Sequence, residues 1–310
     1  MGKELTDSFS MQESSPSKPI YHYVLAELLT PEINDPNIEE STKKFGDRFY
    51  NYYNNGFGIS LPDNPMGKLR FTSTEIIEYL GLPTDRVIVH INTFHRKEDL
   101  DQIITSALNL GVKDLLCISG DGNPRLHRLE ERELGFEPTP IGAATSIELL
   151  KYIHREFPGK FSCGVAFNPY EEHNFEFGKL VKKIDAGAEF IGTQLYLPSG
   201  LVEGFEHRSN LELLAQYKKP VVFGIWTPPS KPGDNSEKSV KRINTFLEVM
   251  VPYYSEQIIA LLKEKLIKDG YNTKNIIKSV KEKYAPLYPS FTEYFTAPIL
   301  QKMKEWMKIL

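Results

Sequence analysis

Short runs rich in β-branched and aromatic residues alternate along this chain with longer stretches whose apolar residues recur every three or four positions. Seven runs read as strands: "YHYVLAEL" (21–28), "GFGISL" (56–61), "RVIVHI" (86–91), "KDLLCIS" (113–119), "KFSCGVAF" (160–167), "AEFIGTQL" (188–195) and "KPVVFGIW" (219–226). Helical periodicity fills the intervals at 37–54, 73–80, 97–110, 145–156, 173–186, 209–217 and 236–249. In "KEDLDQIITSALNLG", residues Leu100, Ile103, Ile104, Ala107 and Leu108 form one apolar face, and Gly111 is a stop signal. Alternation of this kind predicts βα units around a parallel sheet, and seven of them point to a (β/α)8 TIM barrel more than to a doubly wound sheet. An eighth strand is not visible. Beyond residue 250, "SEQIIALLKEKLIKDG", "TKNIIKSVKEKY" and "APILQKMKEWMKIL" read as helices joined by aromatic connectors. The expected organisation is a disordered polar tail over 1–18, a barrel over 19–252, and a helical segment over 253–310 that packs on the barrel or completes it irregularly.

Composition narrows the function classes. The 310 residues, 40% hydrophobic and 25% charged, suit one large α/β domain. Basic and acidic residues, 37 and 41, are well mixed, so no basic stripe invites nucleic acid or an anionic membrane. No apolar run approaches the roughly 18 residues of a membrane span. The N-terminus lacks the apolar core of a signal peptide, so a cytoplasmic protein is expected. Cys117 and Cys163 lie in apolar runs without a CxxC, and the seven histidines form no HxH or HxxxH pair. Reduced core thiols and no bound metal are expected.

A barrel carries its reactive groups at the C-terminal ends of strands and in the loops that follow. That filter selects Glu27, Ser60, Asp63, Asn64, His90, Asn92 and Asp121, then Asn168 with Glu171, Glu172 and His173, and finally Gln194 and Trp226 with Thr227. Glu27 interrupts an apolar run, so its carboxyl either meets a cationic neighbour or is held neutral with a raised pKa; the pattern does not choose. Asp121, in "SGDGNP", is either the capping residue of an Asx-turn or a ligand group whose flanking glycines admit a planar molecule; alone, the motif favours the turn. It has neither P-loop nor dinucleotide-fold spacing. His173 opens a helix whose N-terminus favours an anion such as phosphate, while Lys182 and Lys183 near its end read as a solvated basic turn. Gln194 suits paired contacts to a heterocycle on which Tyr196 and Trp226 can stack.

Five stretches in order, "ISLPDNPMGKLRFTS", "VIVHINTFHRKEDLDQIITSALNLGVKDLLCISGDGNP", "GAATSIELLKYI", "GVAFNPYEEH" and "KKIDAGAEFIGTQLY", resemble the methylenetetrahydrofolate reductase family of flavin-dependent TIM barrels. The last, a K-x-x-A-G-A-x-x-x-x-T-Q pattern, is the most specific, and the resemblance spans about residues 20–250. It implies a cytoplasmic oxidoreductase of one-carbon metabolism that reduces 5,10-methylenetetrahydrofolate, or a related methylene-pterin, to the 5-methyl form. The implied cofactor is FAD, with NAD(P)H as electron donor and a folate or other pterin as the small-molecule partner. It further implies Glu27 as the proton donor, Asp121 beside flavin and folate, and Gln194 as the pterin-orienting residue. Ser60, His90, Asn92, Gly120, Asp121, Ala144, Ala166, His173 and Lys183 fall at the cofactor-facing positions, and Gln194, Tyr196 and Trp226 at the substrate-facing ones. Three positions depart from the family: Ser119 replaces the arginine before Gly-Asp, Asn92 ends the H-x-T motif, and "FNPY" replaces Y-P-E. The departures and the helical C-terminus leave open a homo-oligomer, a non-catalytic barrel subunit of a larger electron- or methyl-transfer complex, and a flavin-free reductase using NAD(P)H directly.

Overall fold

The computed structural model describes residues 18–122, 126–169, 171–195, 214–226, 233–250, 256–269, 277–278, 281–282, 285–288 and 290–296. Within them eight parallel strands close into a barrel in sequence order. These are β1 (Leu25–Glu27), β2 (Gly58–Leu61), β3 (Val87–Ile91), β4 (Asp114–Cys117), β5 (Ser162–Phe167), β6 (Phe190–Thr193), β7 (Val221–Trp226) and β8 (Phe291–Thr296). The helices are α1 (Ile38–Tyr53), α2 (Ser73–Leu80), α3 (Lys97–Asn109), α4 (Ser146–Glu156), α5 (His173–Asp185), α6 (Glu237–Met250) and α7 (Glu256–Asp269). The TIM barrel and all seven strands read from the sequence are present, each shorter than its apolar run. Of the helix expected over 209–217, a single 3-10 turn, Ala215–Tyr217, is described, and 209–213 lie outside the described residues. The tail over 1–18, apart from Lys18, and most of 270–284 and 297–310 also lie outside them.

Strand β8 lies in an aromatic connector of the 253–310 segment, where no strand was read, and so corrects the expectation of a barrel that ends at residue 252. It pairs along six residues with β7, from Val221↔Phe291 to Trp226↔Thr296, and at Leu25↔Tyr294 and Ala26↔Phe295 with β1. "FTEYFT" carries β-forming residues at five of six positions, but prolines at 286, 289 and 298 bracket it and Glu293 interrupts it. Only pairing with strands remote in sequence makes it a strand.

Local signals set the element ends. Thr72 and Glu75 form a reciprocal capping box on α2, as Thr145 and Glu148 do on α4. Gly111, at φ 80°, follows α3 and terminates it as the sequence indicates.

Strand parity divides the apolar residues into two clusters. Ala26, Ile59, Val89, Leu115, Val165, Ile191 and Phe223 pack with helix residues such as Phe49, Ile76, Leu100 and Leu149 in the layer between sheet and helices. Leu25, Ile88, Phe190 and Val222, with Ile20 and the partly buried Leu116, form a cluster with no residue of α1–α7, which places them inside the barrel. Phe190 fits there because Gly164 opposite it has no side chain; a Cβ at 164 would lie 2.1 Å from the Phe190 ring. Gly164→Ala is therefore expected to destabilise the fold by about 1–3 kcal/mol through overpacking, measurable as a lower urea midpoint at unchanged slope.

Candidate active site

Two residues above the interior apolar layer, the same strand parity brings Glu27, Ser60 and His90 to the C-terminal mouth of the barrel. Glu27 ends β1 and lies in register with Ser60 on β2. Its carboxyl is half-buried, and among the described residues no hydrogen bond or ion pair engages it. Burial raises its pKa to about 7. Of the two alternatives open in the sequence, the described residues supply the second, a carboxyl able to carry a proton near neutrality.

An elevated pKa alone does not mark a reactive group. Asp114 is also raised to about 7, by burial first, with a hydrogen bond from the Ile20 backbone opposing and the Glu189 charge reinforcing the rise. Asp114 begins β4, at the opposite end of the barrel. Position separates the two.

Beside Glu27, Ser60 Oγ and His90 Nε2 are 2.7 Å apart, and both side chains are buried. Burial lowers the His90 pKa to about 4 against an opposing pull from Asp63, so the imidazole is neutral at physiological pH.

The loops after β2, β3 and β4 meet at the mouth. Asp121 is exposed, and its Oδ2 accepts a 2.6 Å hydrogen bond from the backbone N–H of Met66, 55 residues away. This is a tie between loops, where the isolated motif favoured an Asx-turn. The turn carrying that N–H is strained: Asn64 at φ 44° and Met66 at φ 58° are left-handed, each costing about 1–3 kcal/mol. Gly120, at φ 82°, clears room for this chain's own side chains: a Cβ there would lie 2.7 Å from Asn92 and 3.1 Å from Phe94. A Cβ on Gly122 would meet the Phe94 ring at 3.3 Å. The expectation that these glycines admit a planar ligand is corrected on that side of the loop, which Phe94 and Asn92 fill.

Asn92 is buried, and its side chain donates to the Asp63 carbonyl at 2.9 Å and accepts from the Phe94 N–H at 2.7 Å. Ala144 is wholly buried, its N–H bonded to the Leu129 carbonyl, and precedes the Thr145 cap of α4. Ser119 binds this helix start through its hydroxyl, which accepts from the Ser146 N–H at 3.2 Å.

On β5, Ala166 lies one residue past the last β4–β5 pair, Cys117↔Val165, and its carbonyl accepts the Lys183 ammonium at 2.6 Å. Lys183 is buried, which corrects the solvated-turn reading for it but not for the exposed Lys182. Burial lowers the Lys183 pKa, with Glu176 opposing and Lys179 adding to the fall. An ammonium has three donors, and one bond engages this one among the described residues. His173 opens α5 as expected, but the Glu172 carboxylate caps that helix, accepting from Asn174 N–H at 3.1 Å and Phe175 N–H at 2.9 Å. The anion site expected at that helix start is filled by the chain itself.

Gln194 follows β6, half-buried, with its amide oxygen accepting from the Leu195 N–H at 2.9 Å. Tyr196 lies outside the described residues; Trp226 ends β7, and its side chain is not among them.

A model of the methylenetetrahydrofolate reductase family matches residues 26–288. The chain belongs to that family. Membership places it among folate-related reductases. No curated protein matches it significantly. Among solved structures, an uncharacterized protein from Clostridium thermocellum that binds two copies of 5-methyl-5,6,7,8-tetrahydrofolic acid has a TM-score of 0.48 at 10% identity, over 93% of each chain. A thermostable aldo-keto reductase, Tm1743, in complex with epalrestat, has 0.47 at 15% identity over 99% of this chain and 92% of its own. Xylanase 10B from Thermotoga maritima has 0.41 at 12% identity over 89% and 83%. The family assignment rests on the sequence match.

Within this methylenetetrahydrofolate reductase family barrel, the flavin that the family implies can be tested against the residues. The Asn92 side chain and the Ala144 N–H are engaged internally, and Ser60 bonds to His90 Nε2. Lys183 differs: a buried cation at the tip of β5, with two donors unused among the described residues, fits an anionic group such as a dinucleotide's diphosphate. The residues fit the cofactor at that point. No helix among the described residues is long and apolar enough to cross a membrane, and no group of three or more His, Cys, Asp or Glu among them is placed to hold a metal ion.

Proposed function

We propose that this protein reduces the methylene bridge of 5,10-methylenetetrahydrofolate, or of a related pterin, to a methyl group, with FAD as cofactor and NAD(P)H as electron donor. The observation that carries the reading is Glu27: a carboxyl with a pKa near 7, without a partner among the described residues, at the barrel mouth of a chain in this family. Such a group is half-protonated at neutral pH, where a general acid is most effective. Glu27 gives its proton to the ring nitrogen that departs as the substrate's five-membered ring opens. The bond between that nitrogen and the methylene carbon breaks, and the other nitrogen forms an iminium with the carbon. A hydride, two electrons and a proton, completes the methyl group, and Glu27 regains its proton from solvent. FAD, when bound, supplies that hydride after taking it from NAD(P)H. Lys183 and Asp121 are the residues proposed to hold it, Lys183 at an anionic group and Asp121 at a polar edge. The Asp121 carboxylate also faces the positive charge that develops on the iminium. Gln194, with a donor and an acceptor on one planar group, orients the pterin.

The test is anaerobic. Purified protein loaded with FAD is bleached by NAD(P)H and recoloured by methylenetetrahydrofolate, with one methyl product per cycle; failure to recolour with any methylene-pterin overturns the reading. A flavin-free reductase is favoured by one observation, that Asn92, Ala144 and the Gly120 face are filled internally. A colourless protein that consumes NAD(P)H only with the pterin present would establish it. Gln194→Ala is expected to raise the pterin KM about tenfold, as loss of a hydrogen-bonding pair does, while leaving bound flavin in place. Flavin release by that variant would refute the role.

A further inference from the structure

The strained turn that holds Asp121 does not support itself. Among the described residues, Asn64, Met66 and Lys218 are the non-glycine residues with positive φ, and two of them lie in this one turn, next to Gly67 at φ 64°. Backbone of this kind persists only where its surroundings over-determine it. Here the surroundings centre on Asp63. Its Oδ2 lies 2.7 Å from His95 Nε2 and accepts from the Asn92 N–H at 3.1 Å. Its carbonyl accepts from the Asn92 amide at 2.9 Å, and its Oδ1 from Asn64 Nδ2 at 3.2 Å. Asn64 Oδ1 in turn accepts from the Arg70 N–H at 3.0 Å. Asp63, His95 and Asn92 are 7%, 9% and 1% exposed, so water does not substitute for these bonds. At the far end of the turn, the Met66 N–H is the one hydrogen-bond donor to the Asp121 carboxylate among the described residues.

We propose that the buried Asp63–His95 pair is a positioning unit for Asp121: it locks the turn over 64–67 so that the Met66 N–H fixes the carboxylate that faces the substrate. The catalytic part of this inference rests on the proposed function; the coupling of His95 to the Met66 amide does not. His95 bonds to Asp63 and feels the charge of Asp99, and the Asp63 charge acts on both His95 and His90. Burial alone would lower the His95 pKa, but the hydrogen bond and charge of Asp63, followed by the charge of Asp99, outweigh it and raise the pKa. The pair is therefore charge-assisted below that raised pKa and weakens as pH climbs through it.

His95→Ala and His95→Gln, the latter offering an N–H donor in place of Nε2, test this with three readouts. Amide hydrogen exchange of Met66 is expected to quicken by about tenfold or more in His95→Ala and to return most of the way in His95→Gln. Turnover kcat for the methylene-pterin is expected to fall by about tenfold or more in His95→Ala, as misplacement of a reacting group by a fraction of an ångström does, with a smaller fall in the bleaching rate by NAD(P)H, since Lys183 still holds FAD. The alkaline limb that His95 contributes to the pH profile should vanish in both variants. Unchanged Met66 exchange in His95→Ala overturns the coupling, and so does a loss that His95→Gln does not relieve. Equal loss of both half-reactions overturns the positioning role. A wild-type protein that makes no methyl-pterin refutes the proposed function, and Met66 exchange then still decides the coupling.

Discussion

Glu27→Gln is expected to abolish pterin reduction while making the protein more stable at alkaline pH. The amide keeps the shape of the carboxyl and cannot donate the ring-opening proton, so the pterin half-reaction should slow by about 10²- to 10⁴-fold, the usual worth of a positioned acid. Bleaching of bound flavin by NAD(P)H does not need that proton and should be retained; loss of both half-reactions would refute the proton-donor role. The stability effect follows from the same pKa. The folded carboxyl is raised from 4.5 to about 7, so its proton is held more tightly in the folded state. That contribution is complete below pH 4.5 and is lost as pH rises through 7. Since a tenfold change in proton affinity is worth about 1.4 kcal/mol, the wild type should lose about 3 kcal/mol between pH 4 and pH 8 that the glutamine variant keeps. Urea unfolding of both proteins at the two pH values measures it, and parallel pH dependences would mean that Glu27 is not held neutral by burial. One side chain thus carries an opposed pair of effects, the pattern of a site where function is bought with stability.

How far this was legible in the sequence depends on whether a feature is local. Seven strands and their helices declare themselves through period and propensity, and once the chain is read as a barrel, parity carries Glu27, Ser60, His90 and Gln194 to strand ends on one face. The eighth strand is legible only in company: "FTEYFT" has no partner nearby in sequence, and its pairing with β7 and β1 decides its state. Cross-loop ties are hidden for the same reason. Nothing in "LPDNPMG" states that Met66 is left-handed, or that its N–H reaches a carboxylate 55 residues on. His95 escaped notice because a histidine just before a helix usually reads as a surface residue, and its pairing with Asp63 spans 32 positions. Lys183 misled in the opposite direction. A lysine in the last turn of an amphipathic helix suits the helix dipole and water, and only the β4–β5 register shows why this one turns inward, to a strand tip beyond the last pair.

That inward lysine gives the second large effect. Lys183→Met is expected to weaken FAD binding by about 10- to 150-fold, because hydrogen bonds from a cation to a charged group are worth about 1.5–3 kcal/mol each and methionine offers none. The fold itself should barely register the change. Removing a buried ammonium relieves a penalty that is present at neutral pH, since a lysine whose folded pKa is depressed loses stability as pH falls from its unfolded value of 10.5 through the folded one. Against that gain stands the Ala166 carbonyl, left without its donor at a cost of about 1–3 kcal/mol. The two oppose, so the melting temperature of the cofactor-free variant should stay near that of the wild type while flavin affinity collapses. Protons supply an independent check. An anionic group beside Lys183 favours its charged form, so FAD binding to the wild type should take up a fraction of a proton at alkaline pH, seen by calorimetry in buffers of different ionisation enthalpy. The methionine variant should take up none. Wild-type flavin affinity in Lys183→Met would make the ammonium a structural plug for the end of β5, and would leave the mouth of this barrel without a described residue fitted to a dinucleotide's diphosphate.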